Sequence, residues 1–474
     1  MINTLNRHLN RHIPVAFLVQ RIILLTAISL TILCFEIPIA RKLGWLLFSL
    51  IVGINPYYAL YAAFFYAAFF FPSEFFPGLF FTIKHFHIAI IFCLVLFAVN
   101  RDIVGMVKAN YKKGTILYLL ITMLLISGFA GLAGPEPMRV LKTNANILSV
   151  LCACLFLIMV INSRKVVQNA ILFLSFGTAI RILHGAIFSF THAVVFYPKE
   201  NLLHNNHIGF LAVSNFFLLL PTLSFSKNTN RQIAGWACLC VIFCGIILSC
   251  SRTGWVSFVI ISGLYAFLYY RFIFQWFEAN EKTSVIKKLS AIAIFCLLTC
   301  FILVETTQEV RSRFFGLIRI VCDPSYWAFT LNDQQNFGFL GHYRLNQFYV
   351  LAKVMPSHWL IGNGFIKNIT DIHSLYLSIL GASGIIGALL FLSFSILWLK
   401  CLYRSIGKFG DAADSFRIGT LCAFCVWLIY SVMETFVVQF NLWVIVALGL
   451  SLSGCFDTTS PRSQGIPNIQ KSPK

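Results

Sequence analysis

Long apolar stretches recur along almost the whole chain, and short polar connections separate them. Most are long enough for a helix that crosses a bilayer, which takes about 20 residues. The second and third are short and joined only by the sequence GINP, so twelve full spans with a re-entrant pair fit the pattern as well as about fourteen spans do. The predicted spans cover residues 15–34, 39–54, 56–71, 79–99, 115–133, 145–162, 166–190, 207–226, 233–250, 253–270, 288–305, 374–399, 416–436 and 439–455.

The basic residues give the orientation of these spans. They fall in alternate connections, as the positive-inside rule requires of cytoplasmic loops, and both ends of the chain then lie in the cytoplasm. Arg41 and Lys42 depart from the pattern. The residues that follow the rule include Arg7, Arg11, Arg101, Lys108, Arg164, Lys165, Lys227, Arg231, Arg271, Lys287, Lys400 and Arg404.

The same orientation puts residues 72–78, 134–146, 191–206, 250–253 and 306–372 on the outer side of the membrane. Four are short, and the fifth, residues 306–372, is long enough to form a domain. We therefore predict an all-α polytopic membrane protein with about 12–14 transmembrane helices and one large periplasmic loop. The corresponding division is 1–200 (N-terminal helices), 201–305 (further helices), 306–372 (loop domain), 373–455 (C-terminal helices) and 456–474 (cytoplasmic tail).

Composition agrees with lipid as the main solvent: 59% of the residues are hydrophobic, 11% are charged, and the mean hydropathy is +0.83. The net charge of +20 would suggest nucleic acid in a soluble protein. Here the orientation signal accounts for much of that charge, so we expect no nucleic-acid partner. The 15 cysteines lie mostly inside apolar stretches and show no disulfide or zinc spacing.

Several basic side chains lie inside predicted spans or at their ends, where charged residues are rare and usually functional. Arg252, in the tight turn CSRTGW, is either an interfacial anchor or an anion ligand. Arg181 and His184 share one helix face inside a span and face either a cavity or a carboxylate partner. His204 and His207 have a metal-like spacing, but too few other ligands are near to predict a metal site.

The outer loop carries a cluster of arginines, and such clusters suit phosphate because the guanidinium fork donates two parallel hydrogen bonds. Anionic lipid headgroups would fit the same cluster. A histidine, His373, then follows at the mouth of the next span, where it could accept a proton. The loop arginines are Arg311, Arg313, Arg319 and Arg344.

A phenylalanine-rich stretch, AAFFYAAFFFPSEFFPGLFF at 62–81, stands apart from these polar signals. Its aromatic side chains suit a lipid-facing surface with an interfacial belt. They could instead form a wall for a polyprenyl tail.

Residues 200 to about 395 carry an ordered series of short motifs: HNNHIGF, SRTGW, a long loop with arginines, GNGF and HSLYLSILGASGIIG. In this order the series resembles the O-antigen ligase and polymerase superfamily. The last motif matches the ligase pattern through His373, Ser374, Gly384 and Gly387, and RFFGL resembles the Arg-x-x-x-Leu element through Arg313. Whether Arg313 or Arg344 is the loop arginine of the family stays open.

The resemblance implies a GT-C-like membrane glycosyltransferase in the bacterial inner membrane with its active site on the periplasmic side. The donor would be a glycan on undecaprenyl diphosphate, the acceptor lipid A-core, and no cofactor or metal is expected. Catalytic roles would fall to His373, Arg252, Arg313 and Arg344, with Asp371 and Asp333 as rival bases. Substrate contacts would come from Arg181, His184, His204, His207, Arg311 and Ser374.

Three other functions use the same lipid-linked donor. An O-antigen polymerase or a protein O-oligosaccharyltransferase would share the core motifs. A transporter of polyprenol-linked glycan would need the cationic groove but no base, and its usual signature is a pair of repeats with broken helices. We find no such repeat, and the long one-sided loop favours an enzyme.

The first prediction concerns topology. In the variant Asn336→Cys, made in a cysteine-free background, the new thiol should react with a membrane-impermeant reagent in intact spheroplasts. The reason is that residues 306–372 are expected on the periplasmic side. Labelling only after lysis would reverse the orientation and move the candidate site to the cytoplasm.

Overall fold

The computed structural model describes the greater part of the chain, from residue 56 onwards. The described residues are 56–69, 74–76, 83–84, 90–91, 93–95, 114–161, 163–191, 205–225, 229–276, 279–322, 351–352, 358–366, 372, 374–407, 412–432 and 440–454. The spans predicted at 15–34 and 39–54 lie outside these ranges, so the total number of spans stays a prediction.

Helices dominate the described residues, and the predicted all-α polytopic fold is confirmed. Seven of the described helical segments are long and apolar enough to cross a membrane, and three shorter apolar helices accompany them. In chain order the helices are α1 (Pro56–Phe69), α2 (Tyr118–Leu132), α3 (Pro137–Val160), α4 (Arg164–Thr191), α5 (Asn205–Phe225), α6 (Thr229–Leu248), α7 (Arg252–Phe272), α8 (Ala279–Thr306), α9 (Gln308–Cys322), α10 (Leu375–Ser405), α11 (Ala412–Tyr430) and α12 (Phe440–Gly454).

One predicted span contains extended backbone instead of helix. Strand β1 (Glu74–Phe76) pairs antiparallel with β2 (Ile83–Lys84), and Glu74 lies opposite Lys84. The helix predicted over 79–99 is therefore wrong at residues 83–84. Pro77 and Gly78 separate the two strands in the sequence, and this pair favours a turn over a continuous helix.

Helices α5 and α11 form the centre of the bundle. Helix α5 packs against α4, α6, α7 and α11, and 89% of its membrane-spanning window is buried. The helix is apolar all round, as expected for one that neighbouring helices enclose. Gly419 of α11 lets the two backbones approach closely, because a Cβ there would lie 2.5 Å from the Phe217 carbonyl oxygen.

Helix α8 lies at the opposite extreme, on the outside of the bundle. Only 6% of its membrane-spanning window is buried, and it packs mainly against α6 and α9. Leu297 and Phe301 are 71% and 68% exposed, which in a membrane means contact with lipid tails.

The phenylalanine-rich helix α1 is buried, so the lipid-facing surface expected from its sequence is wrong for residues 60–69. It packs against α4 and α12. Tyr61 stacks on Phe173 with ring centroids 5.5 Å apart and accepts a hydrogen bond of 3.2 Å from Asn169. Gly177 of α4 allows the close approach, because a Cβ there would lie 2.5 Å from the Phe65 carbonyl oxygen.

A buried ion pair lies within α11, and its arginine also bonds to α12. Arg417 donates to Asp414 at 2.7 Å and to the Leu452 carbonyl at 3.1 Å, and both charged side chains are at most 1% exposed. Charges removed from water need such partners to be tolerated. The pair lies at the N-terminal end of α11.

Helix α10 is interrupted nine residues after it begins. Gly384 has φ 62° and ψ −164°, a backbone conformation essentially restricted to glycine. The interruption frees carbonyl and N–H groups that would otherwise bond within the helix, and inside a membrane they need other partners.

A loop from the predicted outside segment supplies those partners. The N–H groups of Asn363 and Gly364 donate to the carbonyls of Gly381 and Ala382 at 3.0 and 2.9 Å. On the other side of the interruption, the N–H group of Ile385 donates to the carbonyl of Trp359 at 3.0 Å. Segment 306–372 thus returns to the bundle before its end.

Two positive-φ glycines, Gly362 and Gly364, allow this loop to lie so close to its neighbours. A Cβ at Gly364 would lie 2.5 Å from the Cα of Gly131 on α2. The GNGF loop therefore packs on α2 and is hydrogen-bonded to the GASGIIG motif of α10, so that the two motifs form one backbone unit.

The second prediction tests this unit. Gly384→Ala should lower the melting temperature of the purified protein, because the added Cβ is strained at this φ and meets the Leu360 carbonyl, a cost on the order of 1–3 kcal/mol. Gly263→Ala on α7 is the matched control, since a Cβ there meets nothing within 4 Å and alanine favours helix. Equal melting temperatures for the two variants would contradict the assignment.

Candidate active site

Three helix N-termini meet around the C-terminal end of α11, and together they form the candidate site. Helices α5 and α7 reach it through Asn206 and Ser251, and α10 reaches it through Leu375. At the centre lie Tyr430, the last residue of α11, and Ser431, which follows it. These helix ends carry HNNHIGF, SRTGW and HSLYLS, three motifs that are far apart in the sequence.

Ser251 links α7 to the other helices at this junction. Its side chain caps α7 by accepting the Gly254 N–H at 3.1 Å. Its hydroxyl donates to the Asn206 side-chain oxygen at 2.8 Å, and the Tyr430 hydroxyl oxygen lies 3.4 Å away. The hydroxyl group of Ser251 is therefore shared among α5, α7 and α11.

The turn before Ser251 is as tight as the sequence predicted. Helix α6 ends at Leu248 and α7 begins at Arg252, with Cys250 at φ 50° between them. Trp255 fixes the turn from the next helix, because its indole N–H donates to the Ile246 carbonyl at 3.0 Å. Arg252 is thereby held at the first position of α7.

The N-terminus of α10 is held directly by α11. The Leu375 N–H donates to the Ser431 carbonyl, and the Tyr376 hydroxyl donates to the Leu428 carbonyl, both at 2.9 Å. Ser374 is the N-cap residue and is buried, but its side chain makes no capping hydrogen bond. Its neighbour His373 lies outside the described residues.

Helix α9 lies against the N-terminal part of α7. Phe314 contacts Trp255 with ring centroids 6.2 Å apart, and a Cβ at Gly316 would lie 3.5 Å from Nη2 of Arg252. Arg313 precedes Gly316 by three residues and so shares its helix face. The face of α9 that carries Arg313 and Gly316 therefore lies next to Arg252.

Arg311 has a different role from Arg313. It pairs with Glu305 and donates to the Val304 and Glu305 carbonyls at 3.3 and 3.2 Å. These are the last carbonyls of α8, so Arg311 caps that helix and fixes the corner between α8 and α9. The predicted substrate contact of Arg311 stays a prediction.

Arg181 and His184 lie on α4, beside the end of α6 that leads into the Ser251 turn. Arg181 is 3% exposed. Ile182, the next residue, packs against α6, because a Cβ at Gly245 would lie 2.8 Å from its Cγ1. His207 is half-buried in the first turn of α5, next to Asn206.

Several predicted site residues cannot be placed. His204, Asp333, Arg344, Asp371 and His373 lie outside the described residues. The structure instead adds Asn206, Ser251 and Tyr430, which the sequence analysis did not single out. Only Ser251 had a recognisable signal, since a serine directly before an apolar run is a common N-cap.

The charge distribution at the junction favours an anion. Helix N-termini carry partial positive charge from their free N–H groups, and three such ends converge here. None of the three described helices has an acidic residue in its first turn. Arg252 adds a full positive charge at a helix end where cations are locally unfavourable.

Comparison with known proteins supports the resemblance seen in the motifs. Residues 237–392 match a family model described as O-antigen ligase. The match contains Ser251, Arg252, helix α9 and the interruption at Gly384, whereas Asn206 and Tyr430 lie outside it. Comparison with the curated proteins gives no match. The match supports a relation of residues 237–392, about a third of the chain, to the O-antigen ligase and polymerase superfamily.

Proposed function

We propose that the protein is a glycosyltransferase that moves a glycan from undecaprenyl diphosphate to lipid A-core. The observation that carries the proposal is the convergence of three helix N-termini and Arg252 at one end of the bundle. A diphosphate is the group in this donor that needs such a site, because its departure from the glycan builds up negative charge.

The position of Arg252 supports this role over that of a simple anchor. A cation at a helix N-terminus opposes the macrodipole by about 0.3–1 kcal/mol unless an anion lies nearby. Arg252 is half-buried and lies beside Gly316, which leaves room for its side chain next to α9. A bound diphosphate would accept hydrogen bonds from the guanidinium and offset the repulsion.

Arg313 is our choice for the second cation. It lies on the face of α9 that approaches Arg252, so the two guanidinium groups could bind one diphosphate from different helices. Fixed cations of this kind stabilise a leaving group without reorganising during the reaction. Arg344 remains an alternative, but it lies outside the described residues.

The proposed side of the membrane is the periplasm. The described basic residues Lys165, Arg271, Lys400 and Arg404 lie near those ends of α4, α7 and α10 that are remote from the junction. By the positive-inside rule those ends face the cytoplasm, and the junction then faces the periplasm. This placement gives the enzyme access to donor and acceptor on the outer side of the inner membrane.

We propose His373 as the general base. It follows Ile372 and precedes Ser374, and both neighbours lie at the N-terminus of α10 beside α11. The acceptor hydroxyl would attack the anomeric carbon and lose its proton to the imidazole. The bond to the diphosphate oxygen would break, and Arg252 and Arg313 would stabilise the electron pair left on that oxygen.

A genetic experiment separates the ligase from the polymerase. A deletion strain of a ligase should keep long glycan on its lipid carrier and lack it on lipid A-core. Accumulation of single repeat units on the carrier would instead indicate a polymerase.

The third prediction concerns Arg252. Arg252→Ala should abolish transfer by the purified protein in lipid, and Arg252→Lys should restore little, because a point charge does not replace a two-pronged contact. Arg319→Ala, at the exposed last turn of α9, is the control for a general loss of positive charge. Full activity of Arg252→Ala at equal abundance would return this arginine to an anchoring role.

The fourth prediction concerns His373. His373→Gln should lower single-turnover transfer by about 10²–10⁴-fold, the usual contribution of a general base. Wild-type activity should fall in acid, where the imidazole is protonated, since only neutral imidazole accepts a proton. A glutamine variant that keeps more than about a tenth of the wild-type rate would exclude a base of this strength, and Asp371 would become the next candidate.

A further inference from the structure

Tyr430 is completely buried at the end of α11 and touches both of the other helices that meet at Ser251. Its ring packs edge-to-face on Phe210 of α5, with centroids 5.6 Å apart. Its hydroxyl lies 3.4 Å from the Ser251 side-chain oxygen. It lies outside the segment that matches the family model and was not among the residues selected from the sequence.

Two glycines make room for the Tyr430 hydroxyl. A Cβ at Gly209 on α5 or at Gly254 on α7 would lie 2.5 Å from this oxygen, closer than real Cβ atoms come to any neighbour. The hydroxyl therefore occupies a slot between the first turns of α5 and α7. Any shift of either turn toward α11 would collide with it.

The hydrogen-bond directions follow from the donors available. Ser251 has one hydroxyl proton, and the Asn206 side-chain oxygen can only accept, so that proton goes to Asn206. The remaining lone-pair capacity of Ser251 accepts the Gly254 N–H. In the contact with Ser251, Tyr430 must then be the donor.

We propose that Tyr430 is a positioning residue, whose hydroxyl holds Ser251 and thereby fixes Arg252 at the first position of α7. This inference rests on the proposed role of Arg252 in glycan transfer. A guanidinium displaced by about 1 Å from the leaving diphosphate would stabilise the transition state much less. The ground-state affinity for the donor, to which its long lipid also contributes, would change little.

The test compares Tyr430→Phe with wild type and with Tyr265→Phe. The first variant removes only the hydroxyl and keeps the ring that packs on Phe210. The control removes a hydroxyl from another buried tyrosine, thirteen residues beyond Arg252 on α7, or about 20 Å along the helix. Transfer from undecaprenyl diphosphate-linked glycan is measured per folded molecule, with the folded fraction taken from size-exclusion chromatography and thermal melting.

Tyr430→Phe should lower kcat per folded molecule on the order of tenfold, with KM for the donor within about threefold of wild type, because the loss falls on the transition state. Tyr265→Phe should keep both values. A merely structural role would reduce the amount of folded protein and leave kcat per folded molecule unchanged. A value of kcat for Tyr430→Phe within twofold of wild type would therefore overturn the inference.

A second pair of variants tests the slot itself. Gly254→Ala should lower the melting temperature, and adding Tyr430→Phe should recover most of that loss, because the hydroxyl is the only atom closer than 3.0 Å to the added Cβ. Simple addition of the two effects would overturn the proposed contact. This measurement needs no activity, so it is readable even if the wild type transfers no glycan, a result that would overturn the proposed function instead.

Discussion

In a bilayer, every backbone N–H and carbonyl group that leaves a helix must find a partner inside the protein, because lipid offers none. The described structure meets this requirement at two places, one of which is the candidate site. At Gly384 the loop 359–364 satisfies the groups freed by the interruption of α10. At the other place, Ser251 and Ser431 connect helix ends to one another.

These two places are linked through α10. Its first nine residues extend from the α11 junction to the interruption at Gly384, so the loop and the candidate site hold opposite ends of the same short segment. The segment begins next to His373 in the sequence. Gly384 of the HSLYLSILGASGIIG motif thus has a structural explanation, because a Cβ there would collide with the Leu360 carbonyl of the loop.

The two ends of α11 also differ in their charged groups. Asp414 and Arg417 neutralise each other in the core at one end of α11, where no ligand is needed. At the other end, the N-termini of α5, α7 and α10 converge with Arg252, and none of these three helices has an acidic residue in its first turn. Helix N-termini that converge in this way favour an anionic ligand, because their free N–H groups carry partial positive charge.

The sequence by itself determined the class of the protein, most helices of the described part and the tight turn at Arg252, because apolar length and basic asymmetry act locally and are imposed by the bilayer. It also located the motifs, whose family match covers residues 237–392. It missed the extended backbone at Ile83 and Lys84, and it placed the phenylalanines of α1 in lipid although they are buried. A helix that is apolar all round has the same kind of sequence whether lipid or protein surrounds it, so only packing could show that α1 is buried. Tertiary structure alone decided that Asn206, Ser251 and Tyr430 meet, since hydrogen bonds between residues 45 and 179 positions apart leave no periodic trace in the sequence. It also showed that Arg311 caps α8, whereas the face of α9 that carries Gly316 lies next to Arg252, because only packing decides which face of α9 meets α7.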